Sequence, residues 1–322
     1  MKRRSILSVA AVMAAAYPWL ARAQAYPDHA IKILQGFAPG GNADNIARAI
    51  SAEMSKGLSQ SFVIEAQSGA GGAIAATSVA RAKPDGYSLL LATGGHAVAG
   101  ALYNSLPYKT VADFEMISTI TYFPFLIVTS ADSKLRTLAD LLLASQKSTD
   151  GLSYGSAGVG STHHLAGELL AKTAKINLLH IPYRGDAGSV TALLANDVNF
   201  IIAPPTAVIA NIKAGKIRAL ATTGPQRWPG LPELPTVAEQ GVTGYDVRSW
   251  AGLFAPAGTS RTIVDRLNQE VHKALQVNSV KVRLEEMGGE AKGSTPEEFK
   301  QLVSSELQKW TQVIADAKIP KQ

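Results

Sequence analysis

The chain has 322 residues, of which 46% are hydrophobic and 17% are charged, so it is too apolar for a disordered protein and long enough for two domains. Cysteine is absent, which excludes disulfides, thiolate metal sites and a lipid anchor on cysteine. Four of the 31 basic residues and none of the 25 acidic residues lie in residues 1–23, which leaves a net charge near +2 for the rest. This charge gives no electrostatic reason to expect a nucleic-acid partner.

Residues 1–23 are typical of a signal peptide. A basic Lys-Arg-Arg start precedes an apolar stretch that ends at Leu20, and Ala21 and Ala23 supply the small residues that a signal peptidase reads. The apolar stretch is too short to cross a hydrocarbon core of ~30 Å comfortably as a helix. We therefore predict export to the bacterial periplasm, with cleavage after Ala23 or Ala25. The paired arginines leave a general secretory route and a twin-arginine route open.

Short β-type segments then alternate with helical segments. The predicted strands of this first part are Ile31–Gln35, Ser61–Glu65 and Ser88–Ala92, and the predicted helices cover 46–58 and 73–82. The order of strand, helix and strand predicts parallel strands with helices on the sheet faces.

The alternation restarts in the second part of the chain. Helices are predicted at 135–144, 164–173, 189–195 and 206–214, and strands at 152–154, 178–182, 200–202 and 218–222. The segments Phe123–Val128 and Trp250–Pro256 are predicted to cross between two lobes. We therefore predict that residues 24–123 and 251–322 form lobe 1 and that residues 124–250 form lobe 2.

The C-terminal segment predicts a long helix. Thr295, Pro296 and Glu298 supply an N-cap, a proline at the first helical position and the glutamate of a capping box. Apolar side chains then recur on one face of this helix at Phe299, Leu302, Val303, Leu307, Trp310, Val313 and Ile314. We predict that this face packs on lobe 1, because the opposite face is not basic enough to favour a membrane surface.

The turns from strand to helix carry the chemistry, because ligands of open parallel sheets bind beyond the carboxyl ends of the strands. The first turn runs from Phe37 to Asp44 and contains Gly40, Gly41 and Asn42. Its glycines let the backbone approach a ligand, and the helix start offers unpaired N–H groups to an anion. Phe37 would supply an apolar wall. A tight turn capped by Asn42 or Asp44 is the alternative interpretation.

Two further turns of the first part are weaker candidates. Ser68–Gly72 partly matches a phosphate-binding glycine loop, but it lacks the last glycine and the Walker lysine. A close contact between helix and sheet is therefore the preferred interpretation there. Thr93 and Gly94 follow an apolar strand and would offer a hydroxyl to a ligand or a cap to a helix.

The turn after residue 155 is dense in small and hydroxyl-bearing residues, which suits a polar pocket lined by backbone. Its candidate ligand-binding residues are Ser156, Ala157, Gly158, Gly160, Ser161, Thr162 and His163. Its serines lack the flanking glycines of a nucleophile elbow, and the spacing of the histidines matches no metal motif. We therefore predict neither a catalytic site nor a bound metal or cofactor.

Two other places near strand ends are candidates. Ala203 and Pro204 end a buried strand and are predicted to form a wall of the cleft. Arg184 either pairs with an anionic ligand or lies at the surface or between the lobes.

In this order the motifs resemble those of the tripartite tricarboxylate transporter substrate-binding family, often called the Bug receptors. The matching segments are Pro39-Gly40-Gly41 with Asp44, Gly69–Gly72, Pro84–Tyr87, Tyr154–Gly158 with Gly160-Ser161, Ala214–Leu220, Pro235–Glu239 and Phe254–Thr259. The resemblance covers essentially the whole mature chain. Asn42 and Ala43 depart from the two hydroxyl residues usual in this family, and Ile64–Gln67 departs from the usual Val-Glu-Asn followed by a basic residue.

The resemblance implies an α/β, two-lobe periplasmic binding protein of the type II-like class, with a mainly parallel sheet in each lobe and two crossover strands. A ligand carboxylate would lie against Gly40 and Gly41 in one lobe and residues 156–162 in the other, partly through water. Asp44 would contact another part of the ligand or order its loop. Typical ligands of the family are amino acids, di- and tricarboxylates, and aromatic acids.

The resemblance also implies a partner. We expect a monomer that delivers its ligand to the membrane components of a tripartite tricarboxylate transporter. A receptor that presents its closed form to a sensor kinase is the first alternative. An exported α/β enzyme is the second, although the sequence shows neither a nucleophile elbow nor clustered acids.

Overall fold

The computed structural model describes residues 26–322, so the predicted signal peptide lies outside the described residues. The strands are β1 (Ile31–Gln35), β2 (Phe62–Ala66), β3 (Ser88–Thr93), β4 (Phe114–Pro124), β5 (Leu126–Ser130), β6 (Leu152–Ser156), β7 (Leu178–Pro182), β8 (Phe200–Ala203), β9 (Ile217–Thr222), β10 (Arg248–Pro256) and β11 (Glu290–Ala291). The helices are α1 (Asn42–Leu58), α2 (Ala73–Ala80), α3 (Gly95–Leu102), α4 (Leu138–Lys147), α5 (Thr162–Ala174), α6 (Asp186–Leu194), α7 (Pro205–Lys213), α8 (Arg261–Gln276), α9 (Asn278–Glu286) and α10 (Pro296–Ala317). Within residues 26–322, none of these helices has the length and apolar character needed to span a membrane.

The first sheet has the strand order β11-β4-β10-β3-β1-β2. Strands β1, β2 and β3 are parallel, whereas β10 runs antiparallel between β3 and β4. Successive side chains of a strand point to opposite faces, so Ile33 joins the core on the side of α1 and α8, and Leu34 joins the core on the side of α2 and α10. Burial of both faces explains why these strands are apolar throughout.

The second sheet has the strand order β7-β6-β8-β5-β9. Strand β6 is parallel to β7 and β8, and β5 is antiparallel to β8 and β9. The chain leaves the first sheet between Pro124 and Leu126 and returns to it at Arg248. The two-lobe α/β fold is therefore confirmed. Both sheets are mixed rather than mainly parallel, because the crossover strands run against their neighbours.

The lobe boundaries near 123 and 250 stay a prediction. The predicted crossover Phe123–Val128 consists of the end of β4 and the start of β5, separated by Phe125. Strand β10 begins two residues before the second predicted boundary and pairs over its whole length with β4. Thr223 holds the two connections together, because its hydroxyl donates to the Val247 carbonyl oxygen at 2.6 Å and accepts from the Phe125 N–H at 2.9 Å.

Most predicted elements are present within a few residues of their predicted bounds. Helix α4 begins at Leu138, three residues later than predicted, because Thr137 and Asp140 form a capping box. The capping box predicted at Thr295 is confirmed, and Phe299 of α10 packs on Trp250 and Phe254 of β10 in the first sheet. The sequence analysis missed α3, α8, α9, β11 and most of β4.

Candidate functional site

Two pockets that share Phe37 lie between the strand-end turns of the two lobes. The larger one, here called the main cavity, has a volume of about 620 Å³. Its lining comprises Gly36, Phe37, Ser68, Gly69, Ala70, Gly71, Ile74 and Tyr103 from lobe 1, and Ala157, Gly158, Val159, Tyr183, Arg184 and Gly185 from lobe 2. The smaller one, here called the deep pocket, has a volume of about 20 Å³. It is lined by Phe37, Asn42, Ala43, Thr93, Phe123, Phe125, Thr162, His163, Asp186, Pro204 and Ser249.

Four helices begin at the deep pocket. Its lining includes the first residues of α1, α5 and α6 and the N-cap residue of α7. Each N-terminus carries a partial positive charge and N–H groups without a partner inside the helix. Helices α1, α6 and α7 have Gly41, Gly185 and Pro204 as their N-cap residues. None of these three residues caps its helix with a side-chain hydrogen bond. The first-turn amides of α1 and α6 are therefore available to an anion. Helix α7 offers fewer, because Pro205 at its first position has no N–H and the Ala207 N–H donates to the Pro204 carbonyl oxygen.

Lobe 2 contributes a cluster of buried polar side chains to the deep pocket. Thr162, His163 and Asp186 are 3%, 8% and 8% exposed, respectively. The Thr162 hydroxyl, both ring nitrogens of His163 and Oδ1 of Asp186 make no hydrogen bond to any residue of the described range. Nε2 of His163 lies 3.1 Å from Oδ1 of Asp186, but the two groups are not aligned for a hydrogen bond.

Other predicted site residues order the turns around the pockets. The Asp44 carboxylate accepts from the Gly40 N–H at 3.0 Å and from Nε of Arg48 at 2.9 Å, so it orders the first turn. The Ser156 hydroxyl accepts from the Gly158 N–H at 3.0 Å. Ser161 caps α5 and donates to the Gly158 carbonyl oxygen at 2.6 Å. Both hydroxyls bond within their own turn, the Ser156 hydroxyl also contacts the His180 ring, and neither serine lines either pocket.

Three further histidines, the buried His96 and His164 and the half-buried His180, lie outside both pocket linings. The rings of His164 and His180 stack with their centroids 4.1 Å apart, and Nε2 of His180 lies 2.6 Å from the Ser156 hydroxyl. Burial lowers the pKa of His164 to about 4, and burial together with His164 lowers the pKa of His180 to about 3. Burial also lowers the pKa of His96 to about 4, so all three are neutral at pH 7. Across residues 26–322, no group of three or more His, Asp or Glu side chains is arranged to hold a metal ion.

The structure brings together predicted residues from four separate turns. Phe37, Asn42, Thr93, Thr162, His163 and Pro204 line the deep pocket. Phe37, Ala157 and Gly158 line the main cavity. Outside both linings, Gly94 packs beside Ser249 and Thr162, Gly40 is exposed, and Ala203 is buried in the core of lobe 2.

Sequence reasoning missed several lining residues. Asp186 directly follows Arg184 and Gly185 at the end of β7, so the rule that selected the other turns would also have found it. Tyr103 follows α3 and Ser249 is the second residue of β10, and neither has a local sequence signal. The turn Ser68–Gly72 does make the predicted close contact, because a methyl group on Gly36 would lie 2.3 Å from the Gly72 Cα. The same turn also lines the main cavity.

The two lobes touch each other around the pockets. A methyl group added to Gly71 of lobe 1 would lie 2.6 Å from the carbonyl oxygen of Gly160 in lobe 2. The hydroxyl of Thr206 in lobe 2 donates to Oδ1 of Asn42 in lobe 1 at 3.0 Å. The structure therefore has the lobes closed over the main cavity and the deep pocket.

Two α/β lobes, two crossover connections and pockets built from strand-end turns together define a two-lobe solute-binding protein. The family model described as "Tripartite tricarboxylate transporter family receptor" matches residues 46–319. The chain belongs to this family, which confirms the resemblance found in its turns. The family is one of receptors.

Relatives match over nearly their whole length. The "UPF0065 protein in tcbD-tcbE intergenic region" of Pseudomonas sp. (strain P51) is 37% identical over 319 residues, which cover 99% of this chain and 95% of the relative. The structure of periplasmic binding protein BugD has a TM-score of 0.88 and 34% identity, covering 92% of this chain and 100% of BugD. R. palustris Rpa4515 with adipate has a TM-score of 0.88 and 35% identity, covering 92% of this chain and 99% of the neighbour.

Proposed function

We propose that this chain is a periplasmic, non-enzymatic receptor that holds a small carboxylate between its lobes. It delivers this ligand to the membrane components of a tripartite tricarboxylate transporter. The observation that carries the proposal is the meeting of uncapped helix N-termini from both lobes at the deep pocket. The adipate bound by a structural neighbour and the periplasmic location of BugD support it.

The helix N-termini supply the attraction for the negative charge. A carboxylate that accepts two or three backbone N–H groups gains about 1.5–3 kcal/mol from each bond. Gly185, the N-cap of α6, lines the main cavity, and the first residue of α6 lines the deep pocket. The carboxylate therefore binds where the two pockets meet, beside Phe37, which lines both.

The main cavity holds the rest of the ligand. Its volume of about 620 Å³ falls within the ~300–1,000 Å³ typical of small-molecule sites. Phe37, Ile74, Tyr103 and Tyr183 give it apolar and aromatic walls. Arg184 is the one charged side chain in its described lining, and it has no ion-pair partner among residues 26–322. Arg184 is thus placed to attract an anionic ligand.

Binding is coupled to closure of the lobes. The uncapped amides of α1 belong to lobe 1 and those of α6 to lobe 2, so a single anion bridges the lobes only when they are closed. The ligand thereby shifts the population from the open to the closed form. Contacts such as the Asn42–Thr206 hydrogen bond stabilise the closed form further.

A melting screen tests the proposal. The purified chain is heated with amino acids, di- and tricarboxylates, and aromatic acids, each alongside its neutral amide. An acid present at 100 times its Kd adds about 2.7 kcal/mol to the stability of the folded state, which raises Tm. Calorimetry then confirms a 1:1 complex. A Tm that no acid raises, or that the neutral amides raise equally, would contradict the proposal.

A further inference from the structure

We infer that the deep pocket receives one hydroxyl or ammonium group on the carbon next to the ligand carboxylate, and that Asp186 selects for this group. The inference names the ligand class of the proposed receptor, α-hydroxy and α-amino carboxylic acids, and it rests on the proposed function. The observation behind it is the cluster of Thr162, His163 and Asp186 at the start of α5 and α6.

The cluster is incomplete without a further group. Its three side chains are at least nine-tenths buried. The Thr162 hydroxyl, both ring nitrogens of His163 and Oδ1 of Asp186 make no hydrogen bond to a described residue, although Nε2 of His163 lies 3.1 Å from Oδ1 of Asp186. Buried polar groups in folded proteins are almost always hydrogen-bonded, because burial removes their bonds to water. A polar group of the ligand supplies the missing partner in the closed form.

The size of the deep pocket limits what enters it. Its volume of about 20 Å³ slightly exceeds the ~10–15 Å³ that a single water-sized group needs. A hydroxyl or ammonium group fits this space, whereas a phenyl ring or a carbon chain does not. The main cavity, about thirty times larger in volume, takes the body of the ligand.

The charge of Asp186 decides the chemistry of the group. An ionised carboxylate only accepts hydrogen bonds, so the group that meets Oδ1 of Asp186 must donate one. A second carboxylate at this place would face a like charge in a buried site. A hydroxyl donates to Asp186 and accepts from Thr162 or His163, and an ammonium donates to Asp186 with charge assistance.

The spacing places the donor next to the carboxylate. Gly185 and Asp186 are consecutive residues, yet the first lines the main cavity and the second lines the deep pocket. Asp186 is the first residue of α6, so a carboxylate held by its N–H lies close to its side chain. The nearest carbon of the acid that can carry the donor is its α-carbon.

Two series of acids that share a carbon skeleton test the inference by calorimetry on the wild-type chain. The first series is succinate, malate and aspartate, and the second is 3-phenylpropionate, 3-phenyllactate and phenylalanine. In the series that fits the main cavity, we expect the hydroxy and amino acids to bind at least about 10-fold more tightly than the unsubstituted acid, because each adds a buried charge-assisted hydrogen bond.

The variant Asp186→Asn tests the residue itself. It keeps the size of the side chain and removes its charge, so the preference for the substituted acids should fall to less than about 3-fold. The control is Asp150→Asn, which changes an exposed aspartate of lobe 2 that lines neither pocket. Melting curves of both variants verify that they fold.

The outcomes separate this inference from the proposed function. Equal affinity of wild-type protein for all three acids of a series would overturn the inference and leave a carboxylate receptor in place. A wild-type preference that survives in Asp186→Asn would overturn the role of Asp186. Failure of all six acids to bind, with no other acid raising Tm, would contradict the proposed function itself.

Discussion

Helices that begin at the cleft and helices that begin elsewhere satisfy their first turns differently. The N-cap residues of α4, α8 and α10, away from the pockets, are Thr137, Ser260 and Thr295. Each of these side chains accepts from an N–H of the first turn. The N-cap residues of α1, α6 and α7 at the cleft are Gly41, Gly185 and Pro204, and no side chain in residues 26–322 caps these three helices.

On the proposed function, the difference separates amides that stabilise the fold from amides that bind the ligand. A side-chain cap contributes about 1 kcal/mol to folding, so a helix without one lacks a stabilisation that α4, α8 and α10 have. Helix α5 is the exception at the deep pocket, because Ser161 caps it, and its turn offers buried side chains instead. Helices α2, α3 and α9 also lack a side-chain cap, although their N-cap residues Gly72, Gly94 and Val277 line neither pocket.

The largest effect is expected from giving a cleft helix the cap that it lacks. Gly41→Asp places a carboxylate at the N-cap of α1, where a side chain would start 3.1 Å from the Ala38 carbonyl oxygen and 4.0 Å from Oδ2 of Asp186. The new carboxylate competes for the amides and repels the ligand, so affinity should fall by about 100-fold or more. Stability should change by only a few tenths of a kcal/mol, because glycine is itself a tolerated N-cap.

Calorimetry and melting curves measure both quantities for this variant. Gly41→Ser is the matched control, since it adds a neutral cap of similar size and should weaken binding less than Gly41→Asp. Unchanged affinity in Gly41→Asp would show that the amides of α1 do not hold the ligand.

The second effect concerns contact between the lobes. Gly71 has φ +62°, and a methyl group on it would meet the Gly160 carbonyl oxygen at 2.6 Å. Gly71→Ala should hold the lobes apart and weaken binding by about 10-fold. Gly215→Ala is the control, because Gly215 also has a positive φ, of +70°, but a methyl group there would meet no described atom within 4 Å. Equal affinities of the two variants would contradict a role for this contact in closure.

The sequence was sufficient to locate these turns, because each follows an apolar strand and is rich in glycine or hydroxyl residues. The rule that ligands bind at the carboxyl ends of strands selected Phe37 and Asn42 from one turn and Thr93 and Thr162 from two others, and the fold brings all four to one pocket. The conformation of these turns depends on the residues within each turn. The predicted capping box at Thr295 has the same local origin.

Other features of the fold and of the candidate site could not be predicted from the sequence, because they depend on how distant segments pack together. Strand β4 is buried on both faces over much of its length, so its sequence lacks the alternation that marks a strand. Ser249 and Tyr103 line pockets only because the lobes face each other. The direction of the Ser156 and Ser161 hydroxyls, which bond within their own turn, is set by the backbone of Gly158 and is not visible in the sequence.

A smaller effect is expected from the hydrogen bond that joins the lobes. Thr206→Val removes the hydroxyl that donates to Oδ1 of Asn42 and keeps the shape of the side chain. A net contribution of about 0.5–1.5 kcal/mol corresponds to a loss of affinity of roughly 2- to 12-fold. Thr311→Val is the control, because its hydroxyl donates to Leu307 within α10. If calorimetry finds the same Kd for wild type and Thr206→Val, this bond does not stabilise the bound state.

The smallest effect on binding is expected from the outer caps. Thr137→Ala removes the capping box of α4, which should cost about 1 kcal/mol of folding free energy and lower Tm by a few degrees. Affinity should stay within about 2-fold of wild type, because neither Thr137 nor any residue of α4 lines either pocket. If Thr137→Ala weakens ligand binding and leaves Tm unchanged, the distinction between capped helices that stabilise the fold and uncapped helices that bind the ligand is wrong. If it lowers Tm and leaves affinity unchanged, the cap of α4 serves folding, at a helix end that does not meet the ligand.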